Sequence, residues 1–246
     1  MKTLITPGRA NPKTAKSANK GYEIAILHLA PAKESGYNVC QFATKGCKDV
    51  CLNTAGRGSW VNGSNGQPNP IHTARIERTR LFFEDRAEFA RLLRKDIESL
   101  SRKALKNRNI PAVRLNGTSD IPWEKVLLYD GKTVMEEFPN VQFYDYTKNP
   151  NRSPNPFPNY HLTLSLSETN RLKAQNWLTL GGNVAVVFDA KRGQSLPALW
   201  EQWPVIDGDT HDLRMLDAKE PTIIGLRAKG KAVNDTSGFV NLSKRR

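Results

Sequence analysis

An α/β domain built on a parallel sheet is what this chain of 246 residues predicts. Three observations carry the prediction: short β-like runs recur, long connections separate them, and some runs are apolar on both faces. The runs are YEIAILHLA (22–30), AVRLNG (112–117), VQFYDYT (141–147), YHLTLSLS (160–167), NVAVVFD (183–189), PVIDGD (204–209) and TIIGLRA (222–228). Parallel neighbours need crossovers of a dozen residues or more, and the intervals between these runs supply them. A run such as NVAVVF, apolar at consecutive positions, suits a strand covered on both faces. At this length the expected architecture is an irregular or incomplete TIM-like parallel barrel in a single domain. An open parallel α/β sheet is the alternative, although no GxGxxG follows the first strand.

The elements justify themselves in order. Residues 1–21 carry Lys2, Arg9, Lys13, Lys16 and Lys20, no acids, two prolines and two glycines. That composition predicts a basic, loosely ordered N-terminal arm, with the single domain spanning 22–246. The strand at 22–30 leads into a cysteine-bearing loop, 38–53, and then into GRGSWVNGSNGQPNP (56–70), which reads as loop. Residues 70–108 are the strongest helical region. Phe89, Leu93, Ile97 and Leu100 share one face, and Asp85 with Glu88 resembles a capping box. A helix therefore starts near 86, with a shorter one before it. SETNRLKAQNWLTLGG reads as a helix stopped by Gly-Gly. KNPNRSPNPFPN, rich in proline, reads as loop.

Hydrophobic content of 38% and charged content of 25% fit a soluble globular protein. No apolar run reaches the ~18–20 residues that span a bilayer, and the N-terminus lacks the apolar core of a signal peptide. The expectation is a cytoplasmic protein with no membrane partner. The net charge of +13 attracts polyanions, which makes nucleic acid a candidate partner. No helix-turn-helix, RNP-like strand or paired zinc-finger spacing accompanies that charge. Walker A, GxSxG and HExxH patterns are also absent, so the usual signatures of ATP hydrolysis, serine-esterase and zinc-protease chemistry are missing.

All three cysteines of the chain, Cys40, Cys47 and Cys51, fall in NVCQFATKGCKDVCLN. A reducing cytoplasm disfavours a disulfide, and an odd number cannot fully pair. Three uses remain. An iron–sulfur cluster of the 4Fe-4S type wants four ligands, so three thiolates leave one position open or held by a non-cysteine group. Structural zinc needs a histidine besides, from His28, His72, His161 or His211, of which His72 is best placed. The third use is plain burial as small apolar side chains. If 47–51 is helical, Cys47 and Cys51 lie one turn apart on one face. Gly46 lets the backbone fold closely there, and Lys45, Lys48 and Arg57 offset the negative charge of bound thiolates.

Polar residues gather just after the strands, among them Asn116, Ser119, Asp120, Lys148, Glu168, Asp207, Asp209 and Arg227. Parallel α/β folds build their sites at such ends. In NGTSDIPWE, Asn116 is a ligand-facing candidate, and Asp120 a candidate to bind a ligand or orient Arg114. The other reading is that Ser-Asp caps a helix that Pro122 starts. DGDTHDLR (207–214) offers carboxylates and His211 to a divalent cation, or simply forms a turn.

ILHLAPAKESGYNVCQFATKGCKDVCLNTAGRG, HTARIERTRLFFEDRAEF and VRLNGTSDIPWE together resemble a family of small bacteriophage proteins, gene-product-88-like and also called throughin-like. The resemblance covers most of the chain and is most specific over 27–124. It implies a phage-encoded protein, a TIM-barrel-like fold and an iron–sulfur cluster on Cys40, Cys47 and Cys51. It implies no particular reaction. A weaker resemblance is to radical S-adenosylmethionine enzymes, which also place three cysteines after the first strand of a partial barrel. Their usual spacing is C-x3-C-x2-C, whereas this chain has C-x6-C-x3-C.

The leading expectation is an iron–sulfur protein of a phage, acting in the host cytoplasm in redox chemistry or in binding a small molecule, with an electron-transfer partner or small ligand. Lys45, Lys48, Asn116 and Asp120 are its candidate cofactor-binding residues. A radical enzyme that also binds S-adenosylmethionine is one alternative. A zinc-stapled nucleic-acid-binding module is another.

Overall fold

The computed structural model describes residues 3–10, 12–17, 19–54, 69–217 and 220–243. Nine strands run in chain order: β1 (Ile5–Pro7), β2 (Tyr22–Leu27), β3 (Ile110–Arg114), β4 (Gln142–Thr147), β5 (Tyr160–Ser165), β6 (Val184–Phe188), β7 (Leu199–Trp200), β8 (Trp203–Asp207) and β9 (Ile223–Arg227). The helices are α1 (Pro12–Ala15), α2 (Lys45–Asp49), α3 (Pro70–Glu84), α4 (Arg86–Lys106), α5 (Val134–Glu137) and α6 (Arg171–Thr179). All seven expected strands form, each within about two residues of its expected start.

The strands join in one sheet of order β1-β2-β3-β4-β5-β6-β9-β8-β7. From β2 to β6, and on through β9 to β8, every neighbouring pair is parallel. The sheet is open rather than a closed barrel, and the reason lies at its edges. β1 pairs antiparallel with β2, Ile5 opposite Leu27, and occupies the edge that closure would need. At the far edge β7 folds back antiparallel on β8. β9 inserts between β6 and β8, so the order is not the plain succession of a barrel.

One face of the sheet carries the main core. Val113, Phe143, Leu162 and Val186 are buried there with Phe89, Leu93 and Ile97 of α4. Burying each such side chain contributes about 1.5–3 kcal/mol. Asp85 caps α4, accepting the Glu88 N–H at 3.0 Å, so the helix starts at Arg86. α6 stops as its glycines require. Gly181 takes φ +84°, and the Gly182 N–H reaches back to the Trp177 carbonyl at 3.0 Å. On the opposite face, Ile24, Ala112 and Tyr144 pack under Leu213 and Met215, beside the 3-10 turn Arg214–Leu216.

The basic N-terminal stretch, expected as a loose arm, contains β1 and a buried Leu4. The Asp96 carboxylate on α4 accepts the N–H groups of Leu4 at 2.6 Å and Ile5 at 3.1 Å. Three apolar or β-branched residues, Leu4, Ile5 and Thr6, outweigh the flanking lysines once an acceptor meets them.

Candidate functional site

The cysteine loop leaves the carboxyl end of β2 and returns through α2. Cys40 is set by a local turn in which the Asn38 Oδ1 accepts the Cys40 N–H at 3.0 Å. Its Sγ accepts the Ala32 N–H at 3.4 Å and lies 3.9 Å from the Thr118 carbonyl. The Asp120 N–H donates to the Val39 carbonyl at 2.8 Å, tying this loop to the segment after β3.

α2 is short and is held at its start. Thr44 is the N-cap and accepts the Cys47 N–H at 3.2 Å. Glu168, just past β5, takes the Gly46 N–H at 2.9 Å and the Thr44 hydroxyl at 2.8 Å. A carboxylate on the unsatisfied N–H groups of a helix start is favourable. Gly46 has a definite reason to be glycine: a Cβ there would overlap the Ser237 hydroxyl, the Glu168 carboxylate and Phe239. Its place is against the protein, not around a bound group. α2 ends at Asp49 with Val50 as its C-cap, so Cys51 sits beyond the helix, not on its next turn.

All three thiols are half-buried. Burial pushes the Cys40 thiol up to about 12, the charges of Cys51 and Cys47 add to the rise, and the Ala32 N–H opposes it. Burial also raises Cys47, against the positive field of Lys148, and raises Cys51, against the N–H of Asn53. The thiols therefore feel one another. Lys148 follows β4 and turns its ammonium inward, onto the Ser165 hydroxyl at 2.6 Å and the Leu166 carbonyl at 2.9 Å, 4.5 Å from the Phe239 ring centre. Behind Cys51, Asn53 receives Arg75 of α3 and donates to Glu34 at 3.1 and 3.2 Å.

The N–H and cationic surroundings would favour thiolates here, against the burial that raises all three thiols. N–H donors reach the sulfurs of Cys40 and Cys51, and a cation faces Cys47. Among the described residues, no three His, Cys, Asp or Glu side chains converge as ligands of one metal ion. His72 instead lies 3.8 Å from Glu34. Thiolates on a multi-iron cluster bind different irons and stand further apart than the ligands of a single ion.

The other expected site residues divide. Lys45 reaches out to Asp49 at 2.6 Å on the surface, and Lys48 is exposed but lends its field to Cys47. Arg57 lies outside the described residues. Asn116 is buried and its amide is committed. Its Oδ1 accepts the Ser119 hydroxyl at 2.8 Å, the Ile121 N–H at 3.0 Å and the Trp123 indole at 3.1 Å. Asp120 neither caps a helix nor reaches Arg114. It accepts the Thr147 hydroxyl and the Lys148 N–H, both at 2.8 Å, and pairs with Arg152 at 3.3 Å. Pro122 precedes only a 3-10 turn, Trp123–Lys125. In 207–214 the carboxylates meet cations of the chain. Asp207 and Asp209 pair with Arg227 at 2.9 and 3.3 Å, Asp209 with Lys229 at 2.6 Å, and Asp212 with Arg114 at 3.3 Å.

Arg75 and Arg78 are the residues that sequence reasoning missed. Both sit in the helical run, where basic residues ordinarily face water. The signal was their spacing, three apart on one helix face.

A family model described as gene product 88 matches residues 4–242. No curated protein and no solved structure matches the chain. The match spans nearly the whole sequence, and the chain belongs to the gene product 88 family.

Proposed function

We propose that this gene product 88 protein is a phage iron–sulfur protein, carrying one cluster, of the 4Fe-4S type, on Cys40, Cys47 and Cys51. One observation carries the reading: three thiols separated in sequence lie near one another at one sheet end, with backbone N–H donors at Cys40 and Cys51 and the positive charge of Lys148 acting on Cys47. Bound there, the cluster would supply one-electron chemistry or an iron open to a small ligand. The chain's own residues do the rest. Ala32 and Asn53 donate to thiolate sulfurs, Lys148 offsets their charge, and Glu168 fixes the α2 backbone that aims Cys47. The protein acts in the host cytoplasm, on a small molecule or with an electron-transfer partner.

The test is an absorption spectrum with iron, zinc and sulfide analysis on protein purified without oxygen. About four irons and four sulfides per chain are expected, with loss of both in Cys47→Ala. Colourless protein with about one zinc, or with no metal, overturns the reading. S-adenosylmethionine added to the reduced, loaded protein then separates the roles. Its cleavage identifies a radical enzyme; its survival leaves electron transfer or ligand binding.

A further inference from the structure

A second cluster of charge lies beside the cysteine loop, and it is incomplete. Arg75 and Arg78 sit three apart on α3, so they share a face. That turn of α3 is pinned over the end of β2: Thr79 accepts the Ala30 N–H at 2.8 Å and donates to the Arg75 carbonyl at 2.8 Å. Arg114 ends β3, in register with Ile26 of β2, and His28 lies two residues beyond Ile26. The next turn closes on the same place, since a Cβ at Gly117 would strike His28 at 2.8 Å. Arg75, Arg78 and Arg114 all act electrostatically on His28, which burial first and then these cations hold down to about 3.

The three cations are met unequally. Against its burial, the charges of Asp212 and Asp145 hold Arg114 firmly protonated. Burial lowers Arg75 and Arg78, on which Glu34, and Asp96 with Glu77, act without a direct ion pair among the described residues. Arg114 has Asp212 at 3.3 Å and the Tyr146 ring centre at 4.8 Å. Arg75 donates to the neutral Asn53 amide. Arg78 makes no hydrogen bond or ion pair among the described residues. The Nε atoms of all three are buried without a partner. The charge of Arg78 opposes that of Arg75, and cations partly out of water lose hydration unless an anion joins them. Their planar forks match the oxygens of a carboxylate or phosphate. Half-burial suits the end of a small molecule better than a polymer, which needs exposed cations.

We propose that Arg75, Arg78 and Arg114, gathered around His28 at the ends of β2 and β3, bind the oxyanion group of a small molecule. Arg75 also faces Cys51, so the site adjoins the cysteine loop. The proposal does not rest on what the cysteines hold.

The test uses the full chain in a buffer free of oxyanions, with inorganic phosphate and malonate as probes and thermal unfolding as the readout. At least one probe should raise Tm saturably, and the better one tells a phosphate from a carboxylate site. Arg78→Met should bind that probe at least tenfold more weakly. Without probe its Tm should equal or exceed that of the unchanged protein, because an unpaired buried charge has gone. Arg102→Gln, at a surface arginine 71% exposed, should leave binding unchanged. Cys47→Ala should retain binding even where it loses metal, which keeps this inference separable from the cluster reading. The proposal is overturned if neither probe shifts Tm, if Arg78→Met binds within twofold of the unchanged protein, or if Arg78→Met fails to fold.

Discussion

Arg152 and Arg78 are both arginines withdrawn from water, and they live in opposite surroundings. Arg152 is met by Glu124 at 2.8 and 2.6 Å, by Asp120 at 3.3 Å and by the Tyr160 hydroxyl at 3.1 Å. That network runs on without a gap. Tyr160 donates to Asp145 at 2.8 Å, Asp145 takes the Asn116 N–H at 2.6 Å, and Asn116 holds Trp123. None of its atoms is left buried without a partner. Among the described residues Arg78 makes no hydrogen bond or ion pair, and the Lys148 ammonium donates only to a hydroxyl and carbonyls. A closed network fixes the backbone at the ends of β3, β4 and β5. An open one leaves charge for something not in the chain.

The first way to break this contrast is Arg152→Ala. It strands Asp120 and Glu124 in the interior and should cost about 3–5 kcal/mol in urea unfolding. A loss below about 1 kcal/mol would mean that the closed network is no more structural than a surface pair.

The second uses pH. Burial raises Asp145 to about 7, against the Asn116 N–H, the charge of Arg114 and the Tyr160 hydroxyl. Below the ordinary carboxyl value both folded and unfolded chains hold the proton. Between about 4 and 7 only the folded chain keeps it, so folding takes up a proton and this group's contribution falls as pH rises. Above 7 it levels off. Asp145→Asn removes the titration. The variant should therefore gain on the unchanged protein between pH 4.5 and 7.5, by an amount on the order of a few kcal/mol. A variant stability, taken relative to the unchanged protein, that does not rise between pH 4.5 and 7.5 would show that Asp145 is already ionised when folded.

What was legible in the sequence follows the same division. Strands buried on both faces, such as Val184–Phe188, announce themselves by composition, and α4 announces its start through Asp85 and Glu88. β1 and β7 have three and two residues and exist only by pairing, so no local pattern marks them. The cysteines were legible as a cluster because they share one short segment. Their surroundings were not, because Lys148 comes from the end of β4 and Arg75 from α3. The polar run after β3 is ambiguous in the sequence for a related reason. Asn116 and Asp120 look like ligand contacts at a strand end, yet their partners, Trp123, Thr147 and Arg152, are supplied by the fold.

A smaller effect tests the mooring of α2. Glu168→Ala frees the Gly46 N–H and the Thr44 hydroxyl and should cost about 1–2 kcal/mol, the scale of losing a helix cap. An unchanged urea midpoint would mean that water replaces the carboxylate, and that Cys47 is aimed by its packing with Val187 and Phe239 alone.

The smallest effect is the sharpest comparison with Arg152. Lys148 is a cation in the interior, but its ammonium is held by the Ser165 hydroxyl and two carbonyls and makes no ion pair among the described residues. Burial lowers its affinity for the proton, and Cys47, Asp120 and Glu168 partly restore it. Lys148→Met strands no carboxylate and packs a flexible apolar chain against Phe239. Stability should therefore move by no more than about 1 kcal/mol, while, on the proposed cluster reading, iron retained by anaerobically purified protein falls. A loss of 3 kcal/mol or more would put Lys148 with Arg152, among the residues that hold the fold. Full iron retention would remove it from the cysteine site. Only the combination of small stability change and lost iron separates a cation kept for a ligand from one kept for the chain.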